Sequence, residues 1–423
     1  LTLQRMSLWI WTLPPLIALH IWMFLRNRDL LRFQVLLDIL LAVILGPALI
    51  GGMDLNPIRC IRDGIPFRSY QWSPHTEYQP TQSDLVLYFH PWWEEAGDQL
   101  RRGQMPAIHP GFGGGLPLLA NGQTGMWAPV MLPVWLHGAE RGSTIMAFWK
   151  IELAGLGAFL LFLRGWRLRR TAAAAGGIAW AAAPYLIGWL LVPLAWATAL
   201  LPWLWWAASS VMRGPARRWR VLGVGIGLGW LMGSGLHPET AAIVCGSALL
   251  EAVFLHPRRV FRVVAVALVA GVVATLLAWP NLNYISASSR VAIVGDGNTN
   301  REGLSGTIQR DFVRQIVVPA AMGHPGRGDW RPEYPQSAGA AGVGGAVLAL
   351  LMVGRVRRRY RRLAMAGAAA SLIGLVLLVR IPPLDALLVR IPPIDHMTLP
   401  RFGVLIPWGA AVLAALALDG ALR

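Results

Sequence analysis

Eleven apolar runs divide this chain, at 7–25, 31–51, 146–163, 171–190, 194–212, 221–236, 239–256, 263–280, 338–354, 363–379 and 402–419. They approach or match the length that crosses a bilayer, about 17 to 25 residues. A hydrocarbon interior offers no water to the backbone, so such a chain must satisfy its own N–H and C=O groups inside helices or a closed barrel. Runs this long, continuous rather than alternating, select helices. The fold class is therefore an all-α polytopic membrane protein with about 10–11 transmembrane helices; 221–236 and 338–354, short and glycine-rich, leave the count soft. A content of 55% hydrophobic residues and 21 tryptophans agrees, since indole rings anchor at interface crossings.

The connectors sort by charge. Five short ones hold 20 arginines, among them Arg26, Arg167, Arg213, Arg259 and Arg357, opposed only by Asp29. The alternate connectors, 53–145, 281–337 and 380–401, carry 15 arginines and 15 acids. This is the positive-inside asymmetry, which places the basic loops in the cytoplasm and the three long neutral ones outside. It also explains a net charge of +17 without nucleic acid. Parity puts the visible N-terminus outside; a chain beginning with Leu then implies an upstream segment, or a 7–25 run that does not span. Cys60 and Cys245 form no C-x-x-C pair, which argues against a disulfide framework or a zinc site.

The segments are 1–52 (N-terminal spans), 53–145 (first outward loop), 146–280 (bundle), 281–337 (second outward loop) and 338–423 (C-terminal spans with a Pro-rich elbow at 380–401). Within the first loop, residues 83–129 read SDLVLYFHPWWEEAGDQLRRGQMPAIHPGFGGGLPLLANGQTGMWAP. Leu85, Tyr88 or Phe89, Trp92, Ala96 and Leu100 recur at helical spacing, with Glu94, Glu95, Asp98, Arg101 and Arg102 opposite. That pattern predicts an amphipathic helix lying flat at the lipid–water boundary. Ser83 is a candidate cap, with Asp84 in the first turn. The glycines 111 to 115 lack the Lys-Ser/Thr of a phosphate loop and are expected to pack the loop closely on a span. Asp38, an acid inside an apolar run, sits about two turns from a basic loop, and a structural hydrogen bond or water contact is expected of it.

Asp84, the run Arg102-Gly103-Gln104-Met105-Pro106 and HPGFGGGLPLLANGQTGMWAP together resemble the first extracytoplasmic loop of the bacterial YfhO-like membrane proteins, of the GT-C class of polytopic glycosyltransferases. Later pieces are similar too: the HPET turn, Arg290 after a span and Arg401-Phe402 before one. The family's chains usually continue into more spans and an outer domain, where this one ends at Arg423. The resemblance implies a GT-C-like bundle in the bacterial inner membrane that transfers a sugar from a polyprenyl-phosphate donor to an acceptor on the extracytoplasmic side.

Such transfer needs a base for the acceptor hydroxyl and cations for the departing phosphate. The resemblance assigns the base to Asp84, with Asp54 and Asp63 as rivals; its structural alternative is a helix cap. Arg290 and Arg401 align with family arginines and become the candidates for the donor phosphate, against snorkelling to headgroups. His109, Asn121, Gln123, His237 and Glu239 are candidates for sugar or acceptor hydroxyls. No tight metal-ligand motif exists, although His90 and Glu94 are spaced i, i+4 and His75, His109 and His137 share a side, so no cofactor is expected. Expected partners are the lipid-linked donor and membrane lipids, with no nucleic acid. Two other readings compete: a non-catalytic subunit that keeps the GT-C scaffold within a larger membrane complex, and a transporter, against which the lack of inverted repeats speaks.

Overall fold

The structure, a computed structural model, describes residues 3–51 save 27, 55, 84–286 save 112, 113 and 214–217, 316, and 355–422 save 380, 382, 389, 392, 393, 395, 396 and 398. Arg290, Asp54, Asp63, His75, the run 338–354 and most of the second outward loop lie outside the described residues. The other apolar runs are helical, in α1 (Leu3–Arg26), α2 (Arg28–Gly51), α3 (His90–Arg101), α4 (Leu132–Leu160), α5 (Arg170–Ala181), α6 (Pro184–Gly188), α7 (Leu194–Met212), α8 (Arg218–Gly233), α9 (Pro238–Leu255), α10 (Val260–Ser286), α11 (Arg361–Val379), α12 (Leu384–Leu388) and α13 (Leu405–Ala421), with α3 the helix of the first loop. Among the described residues, five helical stretches are long and apolar enough to cross a membrane: Pro129–Gly165, Pro238–Leu255, Pro257–Tyr284, Arg358–Val379 and Leu399–Ala421. Strand pairing there is confined to Ile108–His109 against Leu116–Pro117, antiparallel. The protein is an all-α membrane protein.

Two runs differ from their sequence reading. The run 171–190 is not one helix: Ala183 is forced extended (φ −58°, ψ 129°) ahead of Pro184, so α5 ends and the short α6 begins. Helix α4 begins well before 146, at Leu132, and breaks at Gly138. Glycine content in 221–236 has a packing cause. A Cβ at Gly225, Gly229 or Gly233 would meet Val269, the Ala270 carbonyl or Leu277 at 2.4–2.7 Å, so α8 and α10 approach backbone to backbone.

Several tryptophans build the core rather than anchoring at an interface. Trp408 of α13 meets Trp180 at 4.9 Å, Trp205 at 5.2 Å and Phe162 at 5.9 Å between ring centroids, and all three tryptophans are buried. Edge-on and offset ring pairs gain from their quadrupoles beyond the area they bury. The arginines of the short basic loops also have a local task. Arg213 donates to the Gly165 carbonyl, Arg259 to that of Met212, Arg262 to that of Val211 (3.0 Å) and Arg362 to that of Leu255 (3.3 Å). Each satisfies an orphan carbonyl at a helix C-terminus, where a cation also suits the helix dipole.

A polar chain crosses the first three long helices. His20 Nε2 lies 2.7 Å from Asp38 Oδ2, and Gln34 Nε2 donates to Asp38 Oδ1 (3.1 Å) and to both oxygens of the buried Glu152 (2.8 and 3.0 Å). Gln34→Leu removes that donor and strands the Glu152 carboxyl, so the protein loses about 3 kcal/mol. The double variant with Glu152→Leu is expected to recover most of the loss, read by thermal denaturation in detergent micelles.

Helix α3 is entered through a π turn, Leu85–Phe89, in which the His90 N–H reaches back to the Leu85 carbonyl. The wider turn carries the apolar stripe round by about one position. The buried set is accordingly Leu85, Val86, Phe89, His90, Trp93, Ala96 and Gly97, with Trp93 rather than Trp92 fully buried and Tyr88 and Leu100 exposed. This face packs on α4, not on lipid alone.

The opposite face is not simply solvated either. At Gly138 (φ 81°, ψ 169°) α4 splits into a short arm and a long arm, and α3 caps both sides of the split. Glu94 accepts from the Ala139 N–H (2.5 Å) at the start of the long arm, and Arg101 donates to the Trp135 carbonyl (2.7 Å) at the end of the short one. Each charge faces the helix end of opposite sign. Only glycine adopts that backbone readily, and a Cβ at 138 would lie 2.7 Å from Glu94 Oε1. Gly138→Ala should cost about 2–4 kcal/mol, from backbone strain plus the lost cap, measured as a lower denaturation midpoint.

Candidate functional site

Three distant pieces of chain come within electrostatic reach of one another: the start of the π turn (Asp84), the first turn of α9 (Glu239), and the 3-10 turn Leu399–Val404 that leads into α13 (Arg401). Arg401 is the hub. Its Nε lies 3.3 Å from Glu239 Oε2 in an ion pair, and its guanidinium sits 5.9 Å from the centre of the Trp189 ring. Tyr185, fully buried on α6, donates its hydroxyl to the Arg401 carbonyl (3.2 Å), fixing the backbone independently of the guanidinium. Arg401 Nη1 is buried and has no hydrogen-bond partner among the described residues. A guanidinium keeps its charge at any relevant pH, so this is a half-satisfied cation with a spare donor.

Asp84 keeps open solvent on one side while surrounding atoms desolvate the other. It does not cap its helix: it occupies the N-cap position with helical dihedrals (φ −55°, ψ −32°) and makes no capping hydrogen bond. Burial pushes its carboxyl above the usual carboxylate range, and the Arg401 guanidinium, acting across the site, opposes that rise without cancelling it. The two residues therefore share one electrostatic environment.

The first turn of α9 adds a third element. His237 takes a left-handed backbone (φ 63°, ψ 83°), rare for a non-glycine residue, and its Nδ1 accepts the Thr240 N–H (3.4 Å) as the helix cap. The remaining N–H groups of that turn are the positive end of the helix dipole, beside Arg401. Burial pushes the imidazole of His90, close to Asp84 in sequence, down to about 4, with Glu140 opposing.

The remaining candidates sort by place. Asn121 accepts the Gln123 N–H (3.0 Å) and so shapes its own turn; it also lines a cleft with Thr124, Trp127, Ser234 and Asn281. His109 stands in the hairpin that Gln99 ties to α3 through the Ile108 carbonyl (2.7 Å). Among the described glycines there, a Cβ on Gly111, Gly114 or Gly115 would meet no span, and Gly114 and Gly115 take positive φ (80° and 122°) just ahead of Leu116–Pro117. His90 and Glu94 point to different tasks, and among the described residues no three His, Cys, Asp or Glu side chains gather as a metal site. Sequence reasoning missed Tyr185, Trp189 and Lys150. Lys150 is buried in α4 and donates to the Leu190 and Val192 carbonyls (2.7 and 3.0 Å), holding the unwound stretch that carries Trp189. The signal for it was a lone lysine inside an apolar run.

Compared with known proteins, the chain matches no family model, no curated protein sequence and no solved structure.

Proposed function

We propose that this protein is a multi-pass GT-C-like glycosyltransferase of the YfhO-like kind, seated in the bacterial inner membrane, which moves a sugar from a polyprenyl-phosphate donor to an acceptor hydroxyl on the extracytoplasmic side. The observation that carries the reading is Arg401, a half-buried cation with a spare donor that pairs with Glu239 and lies within electrostatic reach of Asp84, a carboxylate free of capping duty. A base and a phosphate-holding cation at one place are the two groups that this transfer requires. In the reaction the acceptor hydroxyl gives its proton to Asp84 and its oxygen bonds to the anomeric carbon. The bond from that carbon to the phosphate oxygen breaks, and its electron pair leaves with the phosphate, held by Arg401, the α9 N-terminus and, in this reading, Arg290.

Burial of the Asp84 carboxyl raises its pKa, which suits a base, because a stronger base takes the acceptor proton more readily. Charge asymmetry between connectors supports an outward-facing site, since Asp84 and Arg401 belong to two of the neutral connectors and Glu239 pairs with Arg401. The test is reconstitution of the full chain in vesicles with a polyprenyl-phosphate hexose and a membrane extract as acceptor source. Release of polyprenyl phosphate that depends on Asp84 is the expected result; no donor consumption in any acceptor mixture removes the proposal.

A further inference from the structure

Glu239 occupies the side of Arg401 where a ligand's anion would bind. The contact is loose: at 3.3 Å the Nε–Oε2 pair lacks hydrogen-bond geometry, Glu239 Oε2 has no hydrogen-bond donor among the described residues, and Arg401 Nη1 is likewise unmatched. The Glu239 side chain is 32% exposed, against 21% for Arg401, and Arg401 Nη1 is buried, so the carboxylate has the more open route into water. Asp84 adds a second negative charge that acts on the same guanidinium. The site thus holds one cation and a helix N-terminus against two internal acids.

Resting on the transferase reading above, we propose that Glu239 sets a charge threshold on the phosphate that Arg401 accepts, favouring a phosphomonoester dianion over a phosphodiester monoanion. A monoanion brings the same formal charge as the carboxylate it must displace and gains little by the exchange. A dianion brings a second charge and a third terminal oxygen, enough to use both the Nε and Nη1 donors. The lipid-linked donor is a phosphodiester, and the departing lipid phosphate is a monoester. Arg401 therefore engages most strongly as the bond to the sugar breaks and charge accumulates on the phosphate, which lowers the barrier rather than tightening donor binding.

The experiment uses the full chain in nanodiscs and two soluble probes, butyl phosphate and methyl butyl phosphate, titrated by phosphorus NMR. Wild type is expected to bind the monoester about tenfold tighter than the diester. Glu239→Gln, which keeps the shape and removes the charge, is expected to tighten diester binding and shrink that ratio severalfold. Equal binding of both probes by wild type, with Arg401→Gln abolishing both, overturns the threshold while leaving the phosphate site standing. A ratio unchanged in folded Glu239→Gln overturns it equally. Binding indifferent to Arg401→Gln overturns the threshold and the site together. Should Glu239→Gln fail to fold, Glu239→Ala, which also removes the charge, is read in its place by the same change in ratio.

Discussion

Asp84→Asn is expected to lower sugar transfer by about 10²–10⁴-fold, the range that a positioned general base contributes. The substitution keeps size and removes the lone pair that takes the proton. It also removes a negative charge from the neighbourhood of Arg401, so butyl phosphate binding should hold or strengthen, not weaken. Loss of turnover with retained phosphate binding is the signature of a base; loss of both means that Asp84 only supports the fold. The pH profile supplies an independent reading. In the proposed role Asp84 acts as the carboxylate, and its pKa is raised by burial, so wild-type turnover should fall as pH drops through a point above the ordinary carboxylate range. Any residual activity of Asp84→Asn should lack that acid limb.

Arg401→Gln comes next in size, with transfer reduced by about 10²–10³-fold, comparable to removing one charge-stabilising donor at a reacting centre. Here phosphate binding is expected to be lost as well. The backbone at 401 is held by the Tyr185 hydroxyl, which the substitution leaves alone, so the 3-10 turn should persist. What changes is charge: Glu239 and Asp84 lose their common cation. Arg401→Lys restores the charge without the forked donors and should recover only part of the activity, since an ammonium cannot use the Nε and Nη1 positions together. Activity in Arg401→Gln equal to wild type excludes a phosphate role at this residue.

The helices were legible because lipid forces a continuous apolar run, and the runs at 194–212 and 239–256 match α7 and α9 nearly end to end. Legibility failed where one residue redirects a helix. Pro184 divides 171–190, Gly138 breaks α4, and the π turn before α3 shifts its buried face from Trp92 to Trp93, none of which periodicity alone encodes. In the site, Asp84, Glu239 and Arg401 were picked out by motif and by position at the outer ends of runs. That they meet was not readable, because nothing in local spacing relates the first loop to the last helix. Tyr185 and Trp189 were hidden for a different reason: an aromatic in an apolar run looks like core until a cation from elsewhere lands beside it. Lys150 and Glu152 were passed over inside a hydrophobic average, though a charge at membrane depth is costly enough to mark a fixed contact.

The break at Gly138 has a mechanical outcome for the whole outer surface. With Glu94 gripping one limb of the joint and Arg101 the other, α3 behaves as a splint laid across a fracture, and it cannot tilt unless both limbs move with it. Asp84 rides at the tip of that splint, so its aim toward the arginine is governed by a bracket that touches neither of them. Stiffness at a distance, rather than a direct bond, is then what sets where Asp84 stands.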